Sequence, residues 1–375
     1  MAQVEVEVEQ LQDPEPERTP GLVRRWVGHV AWGVGLLMVV ALAASLAGRL
    51  AWWLDLITHF RPQLAVGLFA FAVAGVFVLK PVKWMVLLAS AGVAVATLPL
   101  PGGEPDVAGE QRLTVVHANL SRGESDFTKF ANWVNQSPAD LVLVQEVTPQ
   151  TLPALQQLLP EFEMVASEPR WDTRGVAALA RKDQVASGAI IRNGMDADRP
   201  VAQVLTRLDT RPVAVMSFHT TRPTTSYLYE VQRDAYQSAA GWGNAYAALG
   251  FERVVIGDYN ASTYSALPGR LKKLANLRDA RGDLAMVGTY PADLPAPLRI
   301  ATDNALISRG LTQTELEVGP DIGSDHRPIR VTLAASDTPT AAQQSATPAA
   351  AWPGSSASPP PATVPSTGPA DSPGE

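Results

Sequence analysis

Three uncharged, strongly apolar runs lie between residues 26 and 101 and limit what this part of the chain can fold into. They are Trp26–Gly48, Pro62–Leu79 and Trp84–Pro101, and only short charged segments separate them. A helix needs roughly 20 apolar residues to cross the hydrocarbon core of a bilayer. We therefore predict a membrane domain at 23–101 with three transmembrane helices. The alternatives are a buried helical core and, for the first run, a cleaved signal peptide.

The positive charges around these runs predict how the chain is oriented. Arg24 and Arg25 precede the first run, and Lys80 and Lys83 lie between the second and third. Loops rich in Lys and Arg stay in the cytoplasm. We expect an integral plasma-membrane protein with a cytoplasmic N-terminus and with everything after about residue 102 outside the cytoplasm. The lipid bilayer is then a partner, and no protein partner can be inferred.

The remaining segments differ sharply in composition. Residues 1–22 form an acidic tail, 102–112 a Gly- and Pro-containing linker, and 335–375 a tail of Ala, Pro, Ser and Thr. That last composition cannot bury enough apolar surface to fold, so we predict disorder there. The globular domain is therefore predicted at 113–334. The chain has no cysteine, which excludes disulfides and thiolate zinc sites, and its net charge of −7 does not suggest a nucleic-acid binder.

Strand and helix patterns alternate through residues 113–334 and predict an α/β domain. We expect strands at 113–120, 140–147, 175–182, 213–219, 253–260, 301–308 and 326–333, with helices at 126–136, 148–159 and 226–249. Six of these strands carry a polar cluster at one end: HANL, QEV, SFH, GDYN, TDN and SDH. Repetition of this kind predicts side chains that converge on one rim of a sheet core.

The residues of these clusters favour a hard metal ion and phosphate chemistry. They are Asn119, Glu146, His219, Asp258, Asn260, Asp303, Asp325 and His326. Carboxylate and amide oxygens suit Mg²⁺ or Mn²⁺. Such ions neutralise phosphate oxygens and lower the pKa of a bound water.

The order of the motifs makes the chain similar to a known superfamily. VQE (144–146), GDYN (257–260) and GSDHRP (323–328), in this order, resemble the endonuclease/exonuclease/phosphatase superfamily, which includes deoxyribonuclease I. The resemblance spans about 113–334. It implies a four-layer α/β sandwich of two packed mixed β-sheets flanked by helices, here preceded by the three predicted transmembrane helices. It also implies a metal-dependent hydrolase of ester bonds.

On the metal side, the resemblance implies three ligands or helpers. Glu146 would be the main Mg²⁺ (or Mn²⁺) ligand, Asn119 would hold metal or phosphate, and Asp325 would assist the metal or its waters.

On the phosphate side, the resemblance implies five catalytic residues. Asp258 would orient or deprotonate the attacking water, and Asn260 would bind the phosphoryl group. His326 would hydrogen-bond a phosphate oxygen, Asp303 would orient His326, and His219 would be a second phosphate donor.

Other positions are less informative about the substrate. Arg174 and Arg222, with Arg170 and Trp171, are candidate substrate contacts, and His117 is expected to pack within its strand. We expect a membrane-anchored, Mg-dependent phosphoesterase acting on a phosphodiester or phosphomonoester in a lipid head group, nucleotide or nucleic acid. A membrane-tethered nuclease acting on DNA outside the cytoplasm and a non-catalytic binding module on the same fold are the alternatives.

Overall fold

The structure of the protein is a computed structural model that describes residues 21–336, except 78, 97, 99–106, 137–138, 193, 195, 197 and 281–287. The predicted tails at 1–22 and 335–375 lie almost wholly outside the described residues.

The helices before residue 97 are followed, after residue 107, by a domain of strands with helices between some of them. The α-helices are α1 (Leu22–Leu46), α2 (Trp52–Thr58), α3 (Arg61–Gly75), α4 (Pro81–Ala96), α5 (Phe127–Asn135), α6 (Thr151–Leu158), α7 (Ser226–Ala248) and α8 (Ala266–Leu274). The strands are β1 (Ala108–Asn119), β2 (Leu141–Gln145), β3 (Phe162–Glu168), β4 (Val176–Arg181), β5 (Ser187–Arg192), β6 (Pro200–Leu208), β7 (Arg211–Ser217), β8 (Glu252–Asp258), β9 (Leu277–Asp279), β10 (Asp303–Ser308), β11 (Leu311–Val318) and β12 (Ile329–Ala335).

The strands form two six-stranded mixed sheets. One has the order β11-β12-β1-β2-β4-β3 and the other β5-β6-β7-β8-β10-β9. Within them, β1 pairs parallel with β2 and β7 parallel with β8, whereas the other pairs are antiparallel. Apolar side chains of both sheets share one buried cluster between them. Further clusters join the outer faces to α5 and α6 on one side and to α7 and α8 on the other. The predicted four-layer α/β sandwich is confirmed.

The sheet topology brings the polar strand ends to one rim. The carboxyl ends of the parallel pairs β1/β2 and β7/β8 lie there, and so do the amino ends of β10 and β12, because each is antiparallel to a neighbour in its sheet. In β8 and β10 this alignment is direct, since Asp258 is the register partner of Asp303.

The prediction of three transmembrane helices is wrong in number. Helix α1 alone is long and apolar enough, among the described residues, to cross a membrane, and a signal sequence has the same composition. The second run forms α3, which has only 15 residues and meets α2 at a 60° bend, and these two helices would form a second span only if taken together. Helix α4 has 16 residues, about 24 Å, which is shorter than the roughly 30 Å hydrocarbon core.

The structure differs from the sequence prediction at two points in the globular domain and the linker before it. Strand β1 begins at Ala108, inside the segment expected to be linker, because Ala108 pairs with Ala335 of β12 across a register shift that ends at Leu113. The sequence prediction also lacks β3, β5, β6, β9 and β11. Strand β6 lies inside its sheet, where Gln203 and Thr206 interrupt its apolar run, and the other four are the edge strands of the two sheets. Edge strands contact the core on fewer sides, so their apolar pattern is weaker.

Candidate active site

The site begins where the apolar face between the sheets ends. On β1, Val115 belongs to the cluster between the sheets, and His117 and Asn119 continue the same face by strand alternation. On β8, Ile256 is followed on this face by Asp258. His117, Asn119 and Asp258 are each at most 2% exposed. The rim is therefore built by polar residues at positions where the core strands would otherwise carry apolar ones.

Asp303 lies between two histidines. Its Oδ1 is 2.9 Å from Nε2 of His117, and its Oδ2 is 2.8 Å from Nδ1 of His326. An ionised carboxylate only accepts hydrogen bonds, so both imidazole nitrogens must donate. Burial would raise the pKa of Asp303, but the charge of His326 and the hydrogen bonds from both histidines outweigh it and hold the pKa well below its usual range. Asp303 is thus a fixed anion that orients two rings.

His326 is a cationic donor directed at Asp258. Burial would lower the pKa of His326, but the carboxylates of Asp303 and Asp258 outweigh it and raise the pKa to about 10. With Nδ1 bound to Asp303, Nε2 lies 3.7 Å from Oδ2 of Asp258. The Tyr290 ring packs on His326 with a centroid separation of 4.8 Å. The imidazolium therefore keeps a second N–H for a ligand at the rim.

His219 is held in the opposite charge state. Burial, followed by the charges of Arg199 and His326, lowers its pKa well below the usual value. Nη1 of Arg199 is 3.4 Å from Nδ1 of His219. A guanidinium only donates, so Nδ1 accepts and the ring proton is on Nε2, which lies 3.9 Å from Oδ2 of Asp258. Two imidazole N–H groups with different charges thus face one carboxylate.

Asp258 and Asn260 are held together by a local turn. The Asn260 backbone N–H donates to Oδ1 of Asp258 at 2.8 Å, and its Nδ2 lies 3.3 Å from Oδ2. Asn260 has a left-handed backbone with φ of 45°, a conformation that asparagine tolerates better than most residues. Burial raises the pKa of Asp258, and the charge of His326 opposes that effect. A carboxylate of raised pKa is suited to accept a proton.

Asn119 lies between Asp258 and a second carboxylate, that of Glu146. Nδ2 of Asn119 is 3.1 Å from Oε1 of Glu146 and 3.4 Å from Oδ2 of Asp258. Glu146 has a φ of 58°, which is uncommon for a residue with a long side chain and concentrates at functional sites. Asp325 is exposed and accepts a hydrogen bond from Oγ of Ser121. Asn119 thus joins Glu146 to Asp258, and Asp325 is near enough to Glu146 for their charges to interact.

Comparison with known proteins identifies the family. Residues 116–326 match the Endonuclease/Exonuclease/phosphatase family. This match covers more than half of the 375 residues. The chain belongs to this family.

Solved structures with a similar fold superpose on about 60% of the chain. D. rerio TDP2 in complex with a single-strand DNA product matches with a TM-score of 0.50 and 13% identity, over 60% of this chain and 99% of that one. A mannosyl-6-phosphatase from Bacteroides thetaiotaomicron matches with a TM-score of 0.48 and 17% identity, over 59% and 99%. A comparison with curated proteins found no match. At 13% identity the TDP2 structure shows a shared fold.

Family membership confirms the predicted enzyme class. Endonuclease/exonuclease/phosphatase proteins hydrolyse phosphoester bonds with a divalent metal ion, so the chain falls among the ester-bond hydrolases.

The residues at the rim fit a divalent ion. Burial raises the pKa of Glu146, the hydrogen bond from Asn119 opposes this, and the charges of Asp258 and Asp325 raise it further. Three carboxylates that repel one another in a partly buried site are the arrangement that a hard cation stabilises. Asp258, Asp303 and His326 form a second possible metal site, because their ligand atoms lie within 4.8 Å of one another. The site at Glu146 is the better metal site, because each carboxylate oxygen of Asp303 already accepts a hydrogen bond from a histidine.

An open cavity of about 770 Å³ joins both halves of the site. Its walls include six of the eight predicted catalytic and metal residues: Glu146, His219, Asp258, Asn260, Asp325 and His326. Arg222 also lines it, with the guanidinium 5.1 Å from the centre of the Tyr290 ring. Arg174 is not among the described lining residues and pairs with Asp198 and Asp172 instead. Of the two predicted substrate arginines, the fold brings only Arg222 to the cavity.

Three residues contribute to the site although the sequence analysis did not assign them to it. His117 was expected to pack only, but it donates to Asp303, and its spacing of two from Asn119 was the signal that both share a face. Arg199, buried beside His219, had no sequence signal beyond being one of several arginines. Gln145 joins the sheets: its Nε2 donates to the Phe218 carbonyl at 3.0 Å, and its Oε1 accepts from the Asp258 N–H at 3.2 Å.

Proposed function

We propose that this chain is a membrane-anchored, Mg²⁺-dependent phosphoesterase that hydrolyses a phosphodiester or phosphomonoester by attack of water on phosphorus. The observation that carries the proposal is the position of Asp258. Its Oδ2 lies within 3.9 Å of Nε2 of both His219 and His326, and Asn119 joins it to Glu146. A proton acceptor, two N–H donors and a metal ligand therefore surround one cavity.

The histidine side supplies the donors for the phosphoryl oxygens. His326, kept cationic by Asp303, donates Nε2–H to an oxygen on which charge builds in the transition state. His219 donates a neutral Nε2–H beside it, and Asn260 binds the same phosphoryl group. Asp258 orients the attacking water and accepts its proton, a role that its raised pKa favours.

The acidic side holds the metal ion. Glu146 is the main ligand, with Asn119 and Asp325 assisting. Mg²⁺ fits this oxygen-only set, and Mn²⁺ fits it equally in charge and ligand type. When bound, the ion neutralises phosphate oxygens and lowers the pKa of an associated water.

The charges of the cavity favour a small phosphoester over a polynucleotide. Among the described residues, three arginines line it, at 122, 199 and 222, against six carboxylates at 124, 146, 258, 293, 321 and 325. A nuclease holds a long polyanion with many basic contacts, whereas one phosphoryl group needs only the metal and a few donors. Cleavage of DNA by the tethered enzyme is the alternative. A non-catalytic binding module is disfavoured because Asp258, Asp303 and His326 are all present.

We propose that α1 anchors the chain in the plasma membrane, with Arg24 and Arg25 on the cytoplasmic side and the catalytic domain outside. The segment after α1 contacts the catalytic domain, since the Asp55 carboxylate accepts from Oγ of Ser265 at 2.6 Å. The segment after α1 and the catalytic domain therefore lie on the same side of the bilayer. The chain then enters the membrane through α3 and comes back to the same side through α4. A reporter fused after residue 334 should be active only outside the cytoplasm, and activity inside would refute this orientation.

Hydrolysis of bis-p-nitrophenyl phosphate and p-nitrophenyl phosphate by the full chain in detergent, with Mg²⁺, tests the catalytic proposal. We expect Asp258→Asn to lose at least about 10²-fold in kcat, the usual range for general acid–base groups. The matched control is Asp183→Asn, whose side chain is 82% exposed. Equal rates for wild type and Asp258→Asn would refute the proposal. A panel of phospholipid, nucleotide and DNA substrates then identifies the ester.

A further inference from the structure

The bend between α2 and α3 is docked on the catalytic domain. We call residues 55–63 the corner. It contacts two loops, 259–266 and 297–302, which are far away in sequence but adjacent to the active site. The first loop begins one residue after Asp258, and the second ends one residue before Asp303.

Asp55 supplies the N-terminal cap of a catalytic-domain helix. Its Oδ1 accepts from the backbone N–H of Ala266 at 2.9 Å, and its Oδ2 accepts from Oγ of Ser265 at 2.6 Å. Ala266 is the first residue of α8, and the side chain of Ser265 makes no cap of its own. A carboxylate at this position binds an N–H that the helix leaves unpaired and favours the positive end of its dipole. The cap comes from 211 residues earlier in the chain.

His59 holds the loop closer to the site. Its Nδ1 lies 3.1 Å from the backbone N of Ser262 and 3.1 Å from Oγ of the same residue. A backbone N–H only donates, so Nδ1 accepts. Ser262 lies two residues after Asn260, whose left-handed backbone needs support from its surroundings.

The second loop is tied to the same corner. Nε2 of Gln63 donates to the Arg299 carbonyl at 2.8 Å. Arg61 lies over the Tyr264 ring at 5.5 Å and donates to the Ser45 carbonyl of α1 at 2.6 Å. One corner thus joins the membrane-proximal helices to both loops.

This contact is packed and polar. Asp55 is 3% exposed and His59 is 9% exposed. The cavity between the corner and the loops measures only about 10 Å³, roughly room for one water molecule. Buried polar groups with paired hydrogen bonds fix one arrangement of the partners, since a shifted loop would leave them unsatisfied.

We propose that Asp55 and His59 are positioning residues for the active site. They act through the loop 259–266, which they hold so that Asn260 and Asp258 face the cavity. Activity then depends on the corner. The catalytic domain is packed against the helices that precede it and is not merely joined to them by a flexible linker. This inference rests on the proposed phosphoesterase function.

Four variants of the full chain in detergent test the inference. His59→Ala removes the acceptor, His59→Asn restores one, and Asp55→Ala removes the cap. His29→Ala is the matched control, because His29 is exposed on α1 and its ring contacts only the Arg25 carbonyl among its described hydrogen-bond partners. The readouts are kcat and KM for bis-p-nitrophenyl phosphate, hydrogen exchange of peptides over 259–268, thermal unfolding, and calorimetric affinity for inorganic phosphate with Mg²⁺.

For His59→Ala and Asp55→Ala we expect faster exchange at 259–268, a fall of about 10-fold in kcat and weaker binding of inorganic phosphate. His59→Asn should recover at least half of the loss in kcat, and His29→Ala should match wild type. Unchanged exchange would refute the docking, and faster exchange with unchanged kcat would refute the positioning role. An activity loss that only follows the unfolded fraction would refute it too.

An inactive wild type would refute the proposed function but not decide this inference. Phosphate affinity decides it in that case: weaker binding by His59→Ala supports positioning, and equal binding overturns it.

Discussion

Nδ1 of His326 lies 2.8 Å from Oδ2 of Asp303, a residue twenty-three positions earlier, whereas the neighbouring Asp325 is exposed and bonds to Ser121. The partner that orients the histidine is therefore not its neighbour in sequence. This pairing keeps His326 cationic, and the first two predictions follow from it.

Asp303→Asn should lower kcat by about 10²-fold, because the amide carries no charge to keep His326 protonated and can present N–H where an acceptor is needed. The alkaline limb of the pH profile should also move to lower pH. The check is kcat/KM from pH 6 to 10.5 for both proteins. Superimposable profiles would contradict the pairing.

Stability should fall at alkaline pH because of His326. Its pKa is raised in the folded state from about 6.5 to about 10, so its stabilising effect is complete below pH 6.5 and is lost as pH rises through 10. Relative to His326→Gln, wild type should lose at least about 1 kcal/mol between pH 6.5 and 10, or about 2–4 °C in Tm. Calorimetry of both proteins at the two pH values measures this, and a constant difference would refute it.

Glu146→Gln should weaken the response to Mg²⁺. The neutral amide attracts a cation less, so the Mg²⁺ concentration for half-maximal activity should rise at least about 10-fold. The rise in Tm that saturating Mg²⁺ causes should shrink in parallel. Glu163→Gln, on the exposed side of β3, is the control and should behave as wild type.

Arg222→Ala should raise KM by about 10-fold, since Arg222 lines the cavity and is held over Tyr290. Arg174→Ala should change KM less than 2-fold, because Arg174 pairs with Asp198 and Asp172. Steady-state kinetics on one substrate compares them. A larger effect at Arg174 would mean that the loop rearranges around the substrate.

Gly257→Ala should destabilise the domain by more than about 3 kcal/mol. A Cβ there would lie 1.9 Å from the Phe218 carbonyl oxygen and 2.6 Å from Nε2 of Gln145. The matched change Gly241→Ala, in α7, has open space around the new Cβ and should be neutral or stabilise by up to about 1 kcal/mol. Urea unfolding gives both values. A tolerated Gly257→Ala would contradict the close approach of Gly257 to the Phe218 carbonyl and the Gln145 side chain.

The residues that line the rim follow largely from local pattern. Strand alternation places His117 with Asn119, and the polar clusters at the strand ends identify Glu146, Asp258 and His326 before any fold is known. Strands with a continuous apolar run are found from the sequence, whereas edge strands such as β3 and β11 alternate weakly and are missed. Strand β6 is also missed although it is buried, because Gln203 and Thr206 interrupt its apolar run.

The sequence by itself determined which strand ends carry chemistry and that the first part of the chain is apolar. Periodicity and composition are local properties, and a strand's faces follow from them. Only the tertiary structure decided that Asp303 binds both His117 and His326, that α2 and α3 meet in a bend at His59, and that this bend docks on Ser262. Such contacts join residues 23 to 203 positions apart, and they depend on sheet register and packing, which no local pattern records.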